Sequence, residues 1–400
     1  MLLYWLWLAS RPEVGDGLKA ALLRHFGDPE DLFFASKEEI AESKIQGLNE
    51  QNLAALCDRD LSGAEKILSD CSRLGISVLP FGDSAYPKRL QAIYDPPMVL
   101  YYKGRLPDFD HLAAIGVVGT RKASLYGIQA AKRIGKEIAE QGGLVVSGLA
   151  DGIDGAAMGA ALGLGLPAVG VLGCGADVVY PRQNRELFAQ TERLGCILSE
   201  FAPGTPPVKW NFPKRNRIIS GLSCGVAVIE APERSGSLLT ARHALEQGRD
   251  VFVVPGNVDM ESFAGSNRLL RSGAIAICSG LDIMGEYEGL YTGKLSGSGA
   301  AQAPVPPENR PEKSAPIPKI PQKTIDNGPS RPYSEQNDPF AGLSLDEKAV
   351  LAAVGEAPTA VDDVIAAAGL PSGRVLGILT VLEIRKKILR HPGKRVSRQR

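Results

Sequence analysis

Between residues 79 and 280, short apolar runs bounded by glycine alternate with amphipathic stretches, and this alternation restricts the fold more than any other feature of the chain. AAIGVVGT precedes GIQAAKRIGKEIAEQG, and GLVVSG precedes GIDGAAMGAALGLG; PAVGVLGCG, CGVAVIEA, TARHALEQGRD and VFVVPG continue the series. A strand that is apolar throughout is buried on both faces, and the helices between such strands supply the cover. The pattern predicts an α/β fold over residues 79–290: an extended, Rossmann-like, doubly wound and mostly parallel sheet. Such sheets bind ligands beyond the carboxyl ends of their strands, so functional residues are sought in the turns that follow each strand.

The flanking segments read differently. Residues 1–78 carry helical periodicity in LKAALLRHFG, EQNLAALCDR and AEKILSDCSRLG, and predict a small helical domain of SAM or helix-hairpin-helix type. The opening MLLYWLWLAS is apolar, but no positive segment precedes it and Arg11 and Glu13 end it well short of the ~20 apolar residues a membrane span needs. It reads as a buried helix, and the absence of a targeting segment points to the cytoplasm. Ten prolines fall within residues 294–340, and a segment so poor in large apolar groups cannot offset its ordering entropy; residues 291–342 are expected to be a disordered linker. Residues 343–395 return to helical period, with Thr359 and Ser372 as expected N-caps and a turn at Pro392-Gly393, and predict a winged helix. Residues 396–400 read as a basic tail, the end of a stretch from Arg385 to Arg400 with eight Lys or Arg and no acid.

Lys plus Arg and Asp plus Glu both total 45, so only local clusters can signal nucleic acid. Six scattered cysteines form no Cys-x-x-Cys pair, and the four histidines form no metal-type spacing; reduced, mostly buried thiols and no metal site are expected.

Four turns carry the chemistry. In GVVGTRKASLYG a strand runs into Gly119, Thr120 and Arg121, with the next helix expected after Gly127; a strand–glycine–helix turn presents free N–H groups to an anion, although a glycine here also serves packing. VVSGLADGID repeats the geometry at Ser147 and Gly148, with Asp154 in the first turn of the following helix. VKWNFPKRNRIISGLS holds four basic residues and no acid between Lys209 and Arg217, interleaved with Trp210 and Phe212 and read as a turn ahead of a helix. Cations neutralise phosphates and aromatic faces stack bases without regard to identity, which predicts sequence-tolerant binding of a single strand. In ERSGSLLTA, the small residues Ser235, Gly236 and Ser237 form either a phosphate nest or a plain tight turn, with a helix from Thr240. No phosphate-binding G-x-x-x-x-G-K-[ST] loop, no G-x-S-x-G elbow and no dinucleotide fingerprint is present, and no histidine sits in a catalytic motif. No catalytic residue and no cofactor is assigned.

Taken in order, GVVGTR, SGLADGID, GCGADVVYPRQNREL, FPKRNRIISGLS and SGSLLTARHALEQGRDVFVVPG, with GSNRLLRSGA and YPKRLQAIYDPPMVLYYKG around them, resemble the DprA/Smf family. The resemblance implies a non-catalytic protein that binds and protects incoming single-stranded DNA, dimerises through its α/β domain and helps load the RecA recombinase in natural transformation. Carried across, the family's G-[ST]-R loop falls on Gly119, Thr120 and Arg121, and its FP-x-RN stretch on Phe212, Pro213, Lys214, Arg215, Asn216 and Arg217. Two departures stand out: Met158 replaces a usual His and is expected to pack, and Val396 stands near the usual position of a Tyr. The alternative is a nucleotide phosphoribohydrolase-like enzyme, but SGSLLTA lacks that group's P-G-G-x-G-T-x-x-E pattern because Ala241 and Arg242 follow Thr240.

Overall fold

The structure, a computed structural model, describes residues 1–291, 345–370, 375, 378–379, 382–383, 387–391 and 395–398. The chain forms two compact units, residues 1–300 and 301–400. The first opens with six short helices: α1 (Leu2–Ala9), α2 (Asp16–Phe26), α3 (Pro29–Phe34), α4 (Lys37–Glu42), α5 (Glu50–Cys57) and α6 (Ser62–Leu74). Their starts are set locally, by Asp28 accepting from the first-turn N–H groups of α3 and by capping boxes at Ser36 and Asn49. The apolar α1 is buried, as its composition requires, with Leu6, Trp7 and Leu8 fully covered. The core of these helices does not close on itself. It continues into Met98, Val99 and Tyr101, so the helical segment packs onto the sheet edge.

After them come β1 (Ser77–Pro80), α7 (Lys88–Gln91), β2 (Val99–Gly104), β3 (Ala114–Val118), α8 (Leu125–Glu140), β4 (Leu144–Ser147), α9 (Ile153–Gly163), β5 (Ala168–Leu172), α10 (Arg185–Leu194), β6 (Cys196–Ser199), α11 (Asn211–Leu222), β7 (Gly225–Val228), α12 (Ser237–Glu246), β8 (Asp250–Val253), α13 (Ala264–Arg271), β9 (Ile275–Ala276) and α14 (Gly280–Glu286). The nine strands lie in the order β1-β2-β6-β5-β4-β3-β7-β8-β9. Strands β6 to β9 in that order pair parallel, from Val169 opposite Cys196 at one side to Phe252 opposite Ile275 at the other. β2 pairs antiparallel with β6, and β1 antiparallel with β2. The mostly parallel, doubly wound sheet is the one the alternating pattern predicts.

Side-chain alternation builds two cores. Ile115 and Val117 of β3 face α8, α9, α10 and α14, where Met158 is fully buried among apolar side chains, a packing residue. Ala114 and Val118 face α7, α11 and α12. The chain builds outward from β3 in one direction, through β4 and β5 to β6, and then returns to add β7, β8 and β9 on the other side. The order therefore reverses between β3 and β7, and in open α/β sheets a crevice opens where it does.

Two helix starts differ from expectation. α8 begins at Leu125, because the Ser124 hydroxyl accepts from the Gly127 N–H. α12 begins at Ser237, three residues before Thr240. In the second unit, α15 (Leu345–Ala353), β10 (Thr359–Ala360), α16 (Val361–Ala368), β11 (Ile388–His391) and β12 (Arg395–Arg398) form the helices and the β10-β12-β11 sheet of a winged helix. Thr359 is a strand residue whose hydroxyl donates to the Ala357 carbonyl, so it does not cap α16. The expected tail at 396–400 is in part wing strand, since β12 runs to Arg398 and buries Val396. The linker expected over 291–342, apart from Tyr291, and the cap at Ser372 lie outside the described residues. All six cysteines are free thiols and four of them are buried.

Candidate nucleic-acid interface

The turns that follow β3, β4 and β7 meet above the carboxyl ends of the strands. Backbone contacts set their relative positions. The Thr120 N–H donates to the Glu230 carbonyl at 2.8 Å, and the Ile153 N–H to the Thr120 carbonyl at 3.3 Å. A Cβ on Gly119 would lie 2.4 Å from the Ile153 side chain and 2.9 Å from the Glu230 carbonyl, so this glycine serves close packing of α9 against β3 rather than access for a ligand. Gly152 has φ of +78°, and a Cβ there would come within 2.4 Å of the Thr120 carbonyl. The buried Glu230 carboxylate accepts from the Ser124 hydroxyl at 2.8 Å and from its N–H, which pins the loop carrying Thr120 and Arg121.

The stretch 212–217 is not a turn ahead of a helix; it is the first half of α11. Pro213 fits because N–H groups in the first helical turn have no intrahelical partner in any case. Helical period then divides the stretch between two faces. Phe212, Arg215, Asn216 and Ile219 line a cleft of about 480 Å³ together with Gly119, Thr120, Arg121, Lys122 and the Ser235-Gly236-Ser237 start of α12. Arg121 lies with its guanidinium carbon 5.2 Å from the centre of the Phe212 ring. On the far side of this stack is a second cleft of about 380 Å³, lined by Tyr180, Arg182, Gln183, Asp151 and again Arg121, Phe212 and Arg215. Tyr180 and Phe212 have ring centres 5.6 Å apart.

Arg215 forms the floor beneath both clefts. It is buried, donates to the Gly148 carbonyl at 3.1 Å and also to the Val171 carbonyl, and so ties α11 to the ends of β4 and β5. Burial lowers its guanidinium to about 10, opposed by the nearby Asp154 carboxylate, so it stays charged at neutral pH. Burial raises the Asp154 carboxyl, which accepts from the Gly148 N–H at 3.1 Å. Asn216 donates to the Gly236 carbonyl at 3.2 Å, joining α11 to the start of α12. At that start the Ser235 and Ser237 hydroxyls are 2.7 Å apart, the Ser237 N–H donates to the Ser235 hydroxyl at 3.3 Å, and the Leu238 and Leu239 N–H groups donate to the Ser235 and Gly236 carbonyls, so the turn is closed by its own residues and offers the cleft hydroxyls rather than free N–H groups.

Lys214 and Arg217 occupy the other face. Arg217 is 2% exposed and pairs with Glu200 at 2.8 Å, Asp95 at 3.0 Å and Asp16 at 3.1 Å; Lys214 pairs with Asp16 at 3.2 Å and Glu200 at 3.6 Å. Burial alone would lower the Arg217 guanidinium, but the three carboxylates raise it, while burial outweighs the two cations and raises Glu200. These two cations lock α2 and the β6 turn to the sheet; the expectation that Arg217 faces phosphates is corrected by its burial, while Lys214 is half exposed and lies outside the lining of either cleft. Ser147 is also structural: it is fully buried and donates to the Val117 carbonyl. Lys209 is exposed but outside the lining of either cleft.

Four cations open to the clefts, Arg121, Lys122, Arg182 and Arg234, have no ion-pair partner among the described residues. Sequence reasoning found only the first. Arg234 adjoins the Ser235 turn and Lys122 adjoins Arg121, so proximity was a usable signal for both; Tyr180 and Arg182 arrive on the long connection after β5, within GCGADVVYPRQNREL, a stretch that carried the family resemblance but no site assignment.

Residues 77–288 match the family model of DNA recombination-mediator protein A, and residues 334–394 that of the DprA winged helix domain. The chain is 34% identical over 403 residues to Protein Smf of Synechocystis, an alignment covering 99% of this chain and 98% of that one. It is 44% identical over 221 residues to DNA processing protein DprA of Bacillus subtilis, covering 55% of this chain and 74% of that protein. The X-ray structure of DprA from Streptococcus pneumoniae is similar with a TM-score of 0.61 at 35% identity, covering 71% of this chain and 96% of that chain.

Proposed function

The chain belongs to the DprA/Smf family of DNA-processing proteins, and from that premise we propose that it binds single-stranded DNA along the two joined clefts without carrying out chemistry on it. The observation that carries this reading is the Arg121–Phe212 stack between the clefts, a cation and an aromatic face side by side with no acid paired to the cation among the described residues. A phosphate bound by Arg121 puts its neighbouring base within reach of Phe212 or Tyr180, and Lys122 and Arg234 take the next phosphate beside the Ser235-Gly236-Ser237 start of α12. Stacking needs an unpaired base, so a duplex cannot use the site in the same way.

The carboxylates in the clefts are already engaged, Asp154 with Gly148 and Asp151 with Gln183, which supports a binding role rather than a catalytic one. Protection of incoming DNA and delivery of the strand to a RecA recombinase in the cytoplasm are the roles the family resemblance implies. Among the described residues no helix is long and apolar enough to cross a membrane. A homodimer through the α/β domain is supported by the open edge strand β9, where Ile275 and the nearby Leu281 are exposed.

A gel-shift titration over a salt series tests the reading. Affinity for oligo-dT is expected to exceed that for a duplex of equal length. Its logarithm is expected to fall with the logarithm of salt by about 0.7 for each phosphate held. Equal affinity for duplex, or an affinity indifferent to salt, overturns it.

A further inference from the structure

We propose that the single strand continues beyond the clefts onto a second platform, a ridge formed by Trp210, Lys209 and Tyr94 where the helical segment meets the sheet; this rests on the cleft reading above. Trp210 is 75% exposed and Tyr94 is 90% exposed. The chain has three tryptophans, and the other two, Trp5 and Trp7, are buried in the helical segment. Large aromatic surface left in water is costly and marks a contact site when cations and an established groove adjoin it.

The ridge is contiguous. Trp210 is the N-cap of α11, two residues before Phe212, so the ridge starts at the same end of that helix as the cleft but on the face that carries Lys214, and a strand leaving the cleft reaches it by rounding that end. Lys214 lies one helical turn along on the same face as Trp210, and its ammonium sits 3.2 Å from Asp16 and 5.9 Å from the Phe201 ring centre. Gly17 follows Asp16, and a Cβ on Gly17 would lie 3.2 Å from the Tyr94 ring. The ridge therefore runs from Trp210 over Lys214 to Tyr94. Its charge suits a polyanion. Lys209 is exposed with no ion-pair partner among the described residues, while Asp16, Asp95 and Glu200 beneath are neutralised by Lys19, Lys214 and Arg217. The occupant is the continuing single strand, with one base on the indole of Trp210 and a later one on Tyr94.

The test uses oligo-dT of two lengths, about 6 and about 20 nucleotides, within the range of known single-strand site sizes. The longer oligonucleotide is expected to quench the emission of Trp210, because the buried Trp5 and Trp7 are out of reach of a base. Trp210→Ala is expected to bind the longer strand roughly five- to hundredfold more weakly, and the shorter one within about twofold of the parent. Trp210→Phe is expected to recover most of the loss, and Tyr94→Ala to reduce affinity for the longer strand alone. Unchanged emission at saturation, with unchanged long-strand affinity in Trp210→Ala, overturns the proposal. If Arg121→Glu abolishes binding while Trp210→Ala does not affect it, the cleft reading stands and the platform falls; if neither substitution matters, both fall.

Discussion

An Arg121→Glu variant is expected to bind oligo-dT at least roughly a hundredfold more weakly than the parent while melting within about 2 °C of it. A hydrogen bond to a charged group contributes about 1.5–3 kcal/mol, and reversal adds repulsion of the phosphate to that loss; each 1.4 kcal/mol is tenfold in affinity. Stability is expected to hold because Arg121 is exposed and makes no ion pair among the described residues, only the contact with Phe212. Lys214→Glu is the informative partner variant. Beside Arg121 in a list of basic residues it looks equivalent, but it would set a third carboxylate against Asp16 and Glu200, so its first effect is expected in the melting curve. Gel shifts and thermal melts on both proteins check this. Parent-like binding in Arg121→Glu removes the cleft from the account.

Arg217→Ala is expected to cost about 3–5 kcal/mol of folding stability, the range found when one member of a buried ion pair is removed and its partners are left charged in a dry site. Against total stabilities of about 5–15 kcal/mol, this is enough to leave much of the protein unfolded at moderate temperature. Glu200, 5% exposed, loses its shortest partner, and Asp16 loses one of three cations. One of the two ion-pair ties between α2 and α11 goes with it, since Asp16 begins α2 and only Lys214 is left in α11 to pair with it. The denaturant midpoint measures the effect. A loss below about 1 kcal/mol would mean that water reaches the cluster and the lock is weak.

The architecture of the sheet was legible because burial on both faces leaves an unbroken apolar signature in each strand, and AIGVV, LVVS, AVGVL and GVAV all show it. The site was legible to the extent that it hangs on strand ends: the turns at Thr120, Gly148 and Gly236 meet as the general behaviour of such sheets requires. What the sequence hid was register within FPKRNR. A proline and a run of cations read as a loop, whereas the segment is helical, and helical period sends Arg215 to the clefts and Arg217 to the carboxylates. Asp16 is 201 positions away from Arg217, and only the folded chain brings them together. Arg215 itself was expected as a phosphate ligand; it is a buried cation of the cleft floor that donates to the Gly148 and Val171 carbonyls and to the Asn216 side-chain oxygen.

The reversal of strand order between β3 and β7 has a consequence for synthesis. One wall of the clefts comes from the β3 and β4 turns, made early, and the other from α11 and the start of α12, made only after β5, α10 and β6. A ribosome-bound chain that has extruded Arg215 but not Ser237 holds every lining residue of the smaller cleft and only part of the larger one, so the two clefts are completed one after the other as the polypeptide grows.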